Sequence, residues 1–306
     1  MRFRPRVAAA LLLASVAAGP PPATTPDPAA EAIVLGIAQD GGVPHLGCRQ
    51  ELCVEARRDP SKRRLVASLG LLDPAAGKRF LIDATPAFPE QIERLGGLPD
   101  AILLTHAHIG HYLGLAQLGR EVRNTRELPV YCTASMANFL RKNRPWSRLV
   151  ERRNIAIREI EAGREFALSE HLRATAIRVP HRDEDSDTVA YLVAGPRHRL
   201  LWLPDIDRWE KWDHKPEDFA SDGDLTMFLD GTFFSADEIP GRAIEDVPHP
   251  LVPSTAARLT AGGPPAAKVF FVHLNHTNRL LWDEAAVRAL SARGFGVARE
   301  GDRLPL

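Results

Sequence analysis

Short apolar runs bounded by glycine, proline or charged clusters recur along this chain, a pattern that predicts many strands and few long helices. Glu31–Ile37 predicts a first strand, followed by the glycine-rich turn Gln39-Asp40-Gly41-Gly42-Val43-Pro44 and a long polar loop, His45–Arg64. Val66–Leu72 and Arg79–Ile82 predict a strand pair around the turn Asp73–Lys78, and Pro86–Leu95 a helix with proline near its start. Ala101–Thr105 reads as a buried strand that runs straight into His106, His108 and His111, with a helix from there to Gly119. A strand at Pro129–Cys132 and a helix at Ala134–Asn143 follow. The second half is richer in strands: Ile155–Ile160, Glu165–Leu168, Leu172–Val179, Val189–Ala194, Leu200–Leu203, Leu225–Leu229 and Val269–Val272. Helices are expected at Pro253–Ala261 and Asp283–Ala292, and a last strand at Gly294–Ala298. This order fits two sheets packed face to face with helices outside, an α/β architecture.

Composition adds a compartment and removes some partners. The 306 residues are 44% hydrophobic, enough for a sizeable core, and the formal net charge is zero. Charge therefore points to no nucleic-acid or membrane-surface partner, and a small-molecule substrate is expected. Arg2, Arg4 and Arg6 precede the apolar run Val7–Ala18, which is short for a bilayer span and is followed by small residues. Residues 1–19 thus read as a secretory signal peptide, 20–30 as a Pro/Thr/Ala-rich linker, and 31–306 as the mature domain, secreted or periplasmic. Lacking a cysteine near the cleavage region, the chain does not read as a lipoprotein, and no membrane association is expected after cleavage.

The chemistry gathers at strand ends. The chain has 11 histidines, and three of them, His106, His108 and His111, fall within one short stretch. Closely spaced imidazoles at a buried edge need partners, and neutral imidazole is the commonest ligand of transition metals. His181, Asp205, Asp230 and His273 each follow or close a later predicted strand, so several strand ends can converge on one point. Imidazole and carboxylate donors suit Zn²⁺, one ion or two, and also Fe²⁺ or Mn²⁺.

Thr105-His106-Ala107-His108-Ile109-Gly110-His111 resembles the H-x-H-x-D-H signature of the metallo-β-lactamase superfamily. The chain is most similar to the branch that holds the pyrroloquinoline-quinone biosynthesis protein B and its phosphodiesterase-like relatives. That likeness rests on Gly41-Gly42-Val43-Pro44 with the cysteines after it, on Leu229-Asp230-Gly231-Thr232-Phe233, and on His273-Leu274-Asn275-His276-Thr277-Asn278. The resemblance implies an αββα sandwich of two mixed β-sheets flanked by helices, with metals in a cleft at one edge. It implies that His106, His108 and His181 hold a first metal, that His111 and His273 hold a second, and that Asp205 bridges them. His111 and Asp205 are then the residues closest to catalysis, in a hydrolase that uses a metal-bound hydroxide on an ester, lactone, β-lactam or phosphodiester. An oxidative or carrier role like that of the quinone-biosynthesis branch, and a non-catalytic metal- or ligand-binding role, are the alternatives.

One position departs from the pattern. Gly110 stands where the signature has its aspartate, so the second metal is short of a ligand. A neighbouring carboxylate (Asp183, Glu184 or Asp207), a water, or a weakened and exchangeable second site are the expected outcomes. The resemblance also implies a structural Zn²⁺ on the loop after the first strand, held by Cys48, Cys53 and His276 with His45 nearby. A Cys48–Cys53 disulfide and free thiols compete with that reading. Asp40, Asp83, Asp230 with Thr232, and His249 are candidates for substrate contact or for support behind the ligands. Trp202, Trp209 and Trp212 read either as core or as the wall of a pocket.

Overall fold

The computed structural model describes residues 30–239, 241 and 247–306. The expected signal peptide and nearly all of the linker lie outside the described residues.

The first sheet holds seven strands: β1 (Glu31–Gly36), β2 (Ser68–Asp73), β3 (Lys78–Ile82), β4 (Ala101–Leu103), β5 (Leu128–Cys132), β6 (Ile155–Glu159) and, beyond β1, β14 (Arg303–Pro305). The second also holds seven: β7 (Glu165–Ala167), β8 (Arg173–Val179), β9 (Thr188–Ala194), β10 (Arg199–Leu203), β11 (Leu225–Asp230), β12 (Lys268–Val272) and β13 (Phe295–Val297). Their spatial orders are β14-β1-β2-β3-β4-β5-β6 and β13-β12-β11-β10-β9-β8-β7. Both sheets are mixed, as expected: β1, β2 and β3 are antiparallel neighbours, whereas β3 through β6 run parallel.

Alternation along β1 shows how the layers form. Ala32 and Val34 join the core that contains Tyr191, Trp202 and Phe228 of the second sheet. Ile33 and Leu35 face the other way, into a cluster with residues of the helices α2 (Phe88–Leu95) and α4 (Ala134–Lys142). A strand buried on both faces reads as a continuous apolar run, as β1 does. Each large side chain buried this way contributes about 1.5–3 kcal/mol. The Tyr191 hydroxyl donates to the Leu104 carbonyl at 2.8 Å, which ties the sheets together beside the histidine-bearing segment.

Strand direction positions the site. In the first sheet β3 and β4 run parallel. In the second, β8 and β10 are each antiparallel to β9, and β10, β11 and β12 are parallel. The carboxyl ends of β8, β10, β11 and β12 therefore meet at one edge, where each delivers a polar residue.

Several elements differ from expectation. The strand expected through Thr105 ends at Leu103, because Thr105 turns its backbone N–H onto the Asp83 carboxylate. In place of one helix to Gly119 there is a single turn, α3 (Ile109–Tyr112), then a 3₁₀ segment, Leu113–Leu118. Gly114 lies so close to the Thr85 carbonyl, 2.3 Å from where a Cβ would stand, that the segment is pressed flat onto its neighbour. The polar loop after β1 contains a helix, α1 (Glu51–Arg58), which buries only Cys53 and Ala56 and so left a weak periodic signal. The short helices α5 (Trp146–Glu151) and α6 (Pro216–Ala220) and the strand β14 were also not expected. α7 (Val252–Thr260) and α8 (Glu284–Ser291) lie where helices were expected, α8 with Asp283 as its N-cap.

Candidate metal centre

Six imidazoles (His106, His108, His111, His181, His249 and His273) and two carboxylates (Asp40 and Asp205) come together at the shared edge. Ligand atoms of His106, His108 and His181 all lie within 4.8 Å of one another, and so do those of Asp40, His111 and His273. Asp205 lies between the two groups. Its Oδ2 is 3.3 Å from His111 Nε2, and its Oδ1 is 3.7 Å from His181 Nε2 and 3.5 Å from His273 Nδ1. The structure thus brings together the six residues that the resemblance implied, with Asp40 beside His111 and His273; ligand atoms of His106, His111 and Asp205 also lie within 4.8 Å of one another.

Two buried carboxylates orient the rings. Asp83, fully buried after β3, accepts from the Thr105 backbone N–H (2.8 Å), from Thr105 Oγ1 (3.0 Å) and from His111 Nδ1 (2.8 Å). His106 Nδ1 meets the same Thr105 hydroxyl at 3.0 Å. Because that hydroxyl gives its proton to Asp83, His106 must donate from Nδ1, which leaves Nε2 as an acceptor that meets His108 Nδ1 at 2.8 Å. The second sheet repeats the device. Asp230, fully buried at the end of β11, accepts from Thr232 N (2.9 Å), Thr232 Oγ1 (2.7 Å) and His249 Nδ1 (2.6 Å), while His273 Nδ1 meets Thr232 Oγ1 at 3.0 Å. Asp83, Asp230 and Thr232 therefore stand behind the histidines. Thr105 has the same part; its signal in the sequence was only its place between a strand and a histidine.

Asp83 and His273 both adopt left-handed backbone, with φ of +68° and +63°. Non-glycine residues rarely do so, and each such residue costs about 1–3 kcal/mol. Packing imposes that strain where side chains must turn sharply from a strand into the cleft.

The donor set fits a metal. Asp40 Oδ1, His111 Nε2, both ring nitrogens of His181, Asp205 Oδ2 and His273 Nε2 are buried and make no hydrogen bond. Leaving such atoms unpaired is costly, and a cation bound among them removes the cost. Burial, the largest influence, drives His106 and His181 far toward the neutral imidazole, and neighbouring histidines add to the effect. Burial also pulls His111 down, but Asp83, Asp205 and Asp40 outweigh it and raise His111 to about 9. Burial likewise raises Asp40, and His273 and His111 outweigh it, holding Asp40 well below the usual carboxylate range.

The carboxylates expected to replace the missing aspartate point elsewhere. Asp183 accepts from Thr188, Asp207 pairs with Lys211, and Glu184 meets His108 Nε2 at 3.3 Å, on the side of the first group. Nor do the tryptophans wall the cleft. Trp202, Trp209 and Trp212 are all buried in the core, with Trp209 donating to Thr255 Oγ1 and Trp212 to the Arg178 carbonyl.

A second cluster lies apart from the first. Cys48 Sγ and Cys53 Sγ lie 3.4 and 3.8 Å from His276 Nδ1, and the three offer ligand atoms within 4.8 Å of one another. Both cysteines are free thiols, so the Cys48–Cys53 disulfide is not formed. His45 stacks its ring on His276 at 4.3 Å rather than joining the ligand group, and its backbone N–H donates to Cys53 Sγ at 3.4 Å. Cys132 is free and buried at the end of β5, where burial raises its thiol to about 12 and keeps it inert.

Residues 78–274 match the Beta-lactamase superfamily domain, and the chain belongs to that superfamily. It is 27% identical over 311 residues to the coenzyme PQQ synthesis protein B of Methylobacterium sp. (strain 4-46), covering 90% of this chain and all of that one. Among solved structures, Zn²⁺-bound PqqB from Methylobacterium extorquens superposes with a TM-score of 0.76 at 23% identity, over 90% of this chain and 100% of that one. A diphosphatase of the PhnP family superposes with a TM-score of 0.67 at 22% identity, over 90% and 97% of the two chains. These likenesses establish the fold, two mixed seven-stranded sheets flanked by helices.

Proposed function

We propose that the protein is a metal-dependent hydrolase acting on an ester, lactone, β-lactam or phosphodiester bond of a small molecule. The observation that carries this reading is the set of buried ligand atoms on either side of Asp205 that make no hydrogen bond. One or two divalent ions held there, Zn²⁺ first among those the donors suit, would lower the pKa of bound water toward neutrality and polarise the bond under attack. The chain's own groups do the rest. His106, His108 and His181 hold one side and His111 and His273 the other, and Asp205 faces both and can take up a proton between them. His249 offers a ring nitrogen within 4.8 Å of ligand atoms of His181 and Asp205. With Nδ1 committed to Asp230, the nitrogen left to meet a leaving-group oxygen is Nε2. Burial lowers the His249 pKa, but Asp230 outweighs burial and raises it, which favours the protonated ring needed by a donor.

Metal analysis of the purified protein, followed by assay on phosphodiester, lactone and β-lactam substrates, tests the reading. Two equivalents of Zn²⁺ in the cleft with turnover support it. Tight metal uptake without turnover on any substrate would instead leave a binding protein. His249→Gln should lower kcat by about 10²-fold or more, the usual scale for a general acid, while the Zn²⁺ content stays unchanged.

A second reading draws on the relatives. Full-length similarity to coenzyme PQQ synthesis protein B supports a related oxidative or carrier role. Purified protein that carries iron and shows redox activity in place of hydrolysis would favour it.

We also propose that Cys48, Cys53 and His276 hold a structural Zn²⁺. Cys48→Ser should release one Zn²⁺ equivalent and lower the Tm, because metal binding at such sites is coupled to folding. The basic and apolar pattern of residues 2–18 supports export; cell fractionation that finds the full-length chain in the cytosol would refute it. Among the described residues no helix is long and apolar enough to cross a membrane.

A further inference from the structure

Gly110 and Asp40 are distant in sequence, yet they compete for one volume. A Cβ built on Gly110 would lie 1.9 Å from Asp40 Oδ1 and 2.8 Å from both Asp40 Cα and Cγ. The Asp40 carboxylate therefore fills the space in which a side chain at position 110 would begin. Its Oδ1 lies 3.6 Å from His111 Nε2 and 3.9 Å from His273 Nε2, buried and without a hydrogen bond. These are the two histidines left a ligand short by glycine at 110.

The turn that carries Asp40 is held firmly. The Gln39 N–H donates to the Leu274 carbonyl at 2.9 Å and the Leu274 N–H to the Ile37 carbonyl at 2.8 Å, which straps the end of β1 to the residue after His273. The Gly42 N–H then closes the turn onto the Gln39 carbonyl at 2.7 Å, with Gly42 at a φ of +64° that only glycine adopts freely. Asp40 is thus presented by backbone pinned to the His273 segment, not by a loose loop.

We propose that Asp40 is the carboxylate ligand of the second metal, and that the ligand has moved from the histidine signature to the turn after β1, with Gly110 kept small to make room for it. The first site is untouched by the exchange, because its ligands come from His106, His108 and His181. The second is restored to two imidazoles and a carboxylate, with Asp205 between. The proposal rests on the cleft being a metal centre and adds which residue completes it.

The exchange makes a reciprocal prediction that a lone ligand does not. Zn²⁺ content is measured by mass spectrometry after equilibration against buffered Zn²⁺, with the Tm of each metal-free variant as the check on folding. Asp40→Asn, which keeps the shape and loses the charge, should weaken the second equivalent by about 100-fold or more, at least the upper end of what loss of a mere supporting partner behind a ligand costs. Gly110→Asp alone should also lose it, because two side chains then claim one space. The double variant Asp40→Gly with Gly110→Asp should regain the second equivalent. Wild-type Zn²⁺ content and affinity in Asp40→Asn would overturn the proposal, and so would a folded double variant that binds no more Zn²⁺ than Asp40→Gly alone. A wild-type protein whose Zn²⁺ content is unchanged by His181→Ala and by His273→Ala would instead remove the metal centre itself, a result distinct from either.

Discussion

Asp205→Asn should lower kcat/KM on any substrate the wild type turns over by about 10²–10³-fold, the scale on which removal of a single electrostatic stabiliser is felt. The expectation comes from position. Asp205 is buried after β10 and lies within 3.3–3.7 Å of nitrogens of His111, His181 and His273. With metals bound on both sides, the histidine nitrogens facing them would be taken up as ligands, and a carboxylate at this place would offset part of the positive charge and could accept a proton. The amide keeps the same shape and could do neither. Zn²⁺ content should fall with activity, and the Tm of the metal-free protein should also fall, since Asp205 is one of the carboxylates that hold the buried His111 protonated. Activity within about tenfold of wild type, a change of about 1.4 kcal/mol in the barrier, would mean that the site does not work through Asp205.

Asp83→Ala should be the most damaging change to stability near the site, at about 3–5 kcal/mol, the cost of removing one partner from a buried charged pair. Asp83 and the His111 side chain are fully buried and 2.8 Å apart, so solvent does little to screen the interaction. Alanine would strand His111 Nδ1 and the Thr105 N–H together and free His111 to turn. The loss should depend on pH in the metal-free protein. His111 is raised from the ordinary imidazole value of 6.5 to about 9, so the stability gained from its protonated form is complete below about pH 6.5 and disappears as pH rises through 9. The gap between wild type and Asp83→Ala in denaturant unfolding should therefore be wider at pH 6 than at pH 10. An equal gap at both would show that the pair contributes through hydrogen bonding alone.

What could be read along the chain was whatever local periodicity and spacing carry. Apolar runs marked most of the strands, because a strand buried on both faces needs an unbroken apolar stretch. The candidate ligands His106, His108, His111, His181, Asp205 and His273 were legible because each lies directly after a strand or within one tight motif. Elements with little to bury escaped notice: α1 hides two residues and β14 is a three-residue edge strand paired with β1. The sequence also shows that Gly110 breaks the signature, but not what occupies the space beside it. That depends on the end of β1 being strapped to Leu274, which brings Asp40 Oδ1 to 1.9 Å from where a Gly110 Cβ would stand. The same holds for Asp230 and His249, which are 19 residues apart in sequence and meet at 2.6 Å, and for three tryptophans that look like a pocket wall and are core. Sequence determines which groups are available and on which elements they ride. Only long-range packing decides which of them share a few cubic ångströms, and metal chemistry is set at that scale.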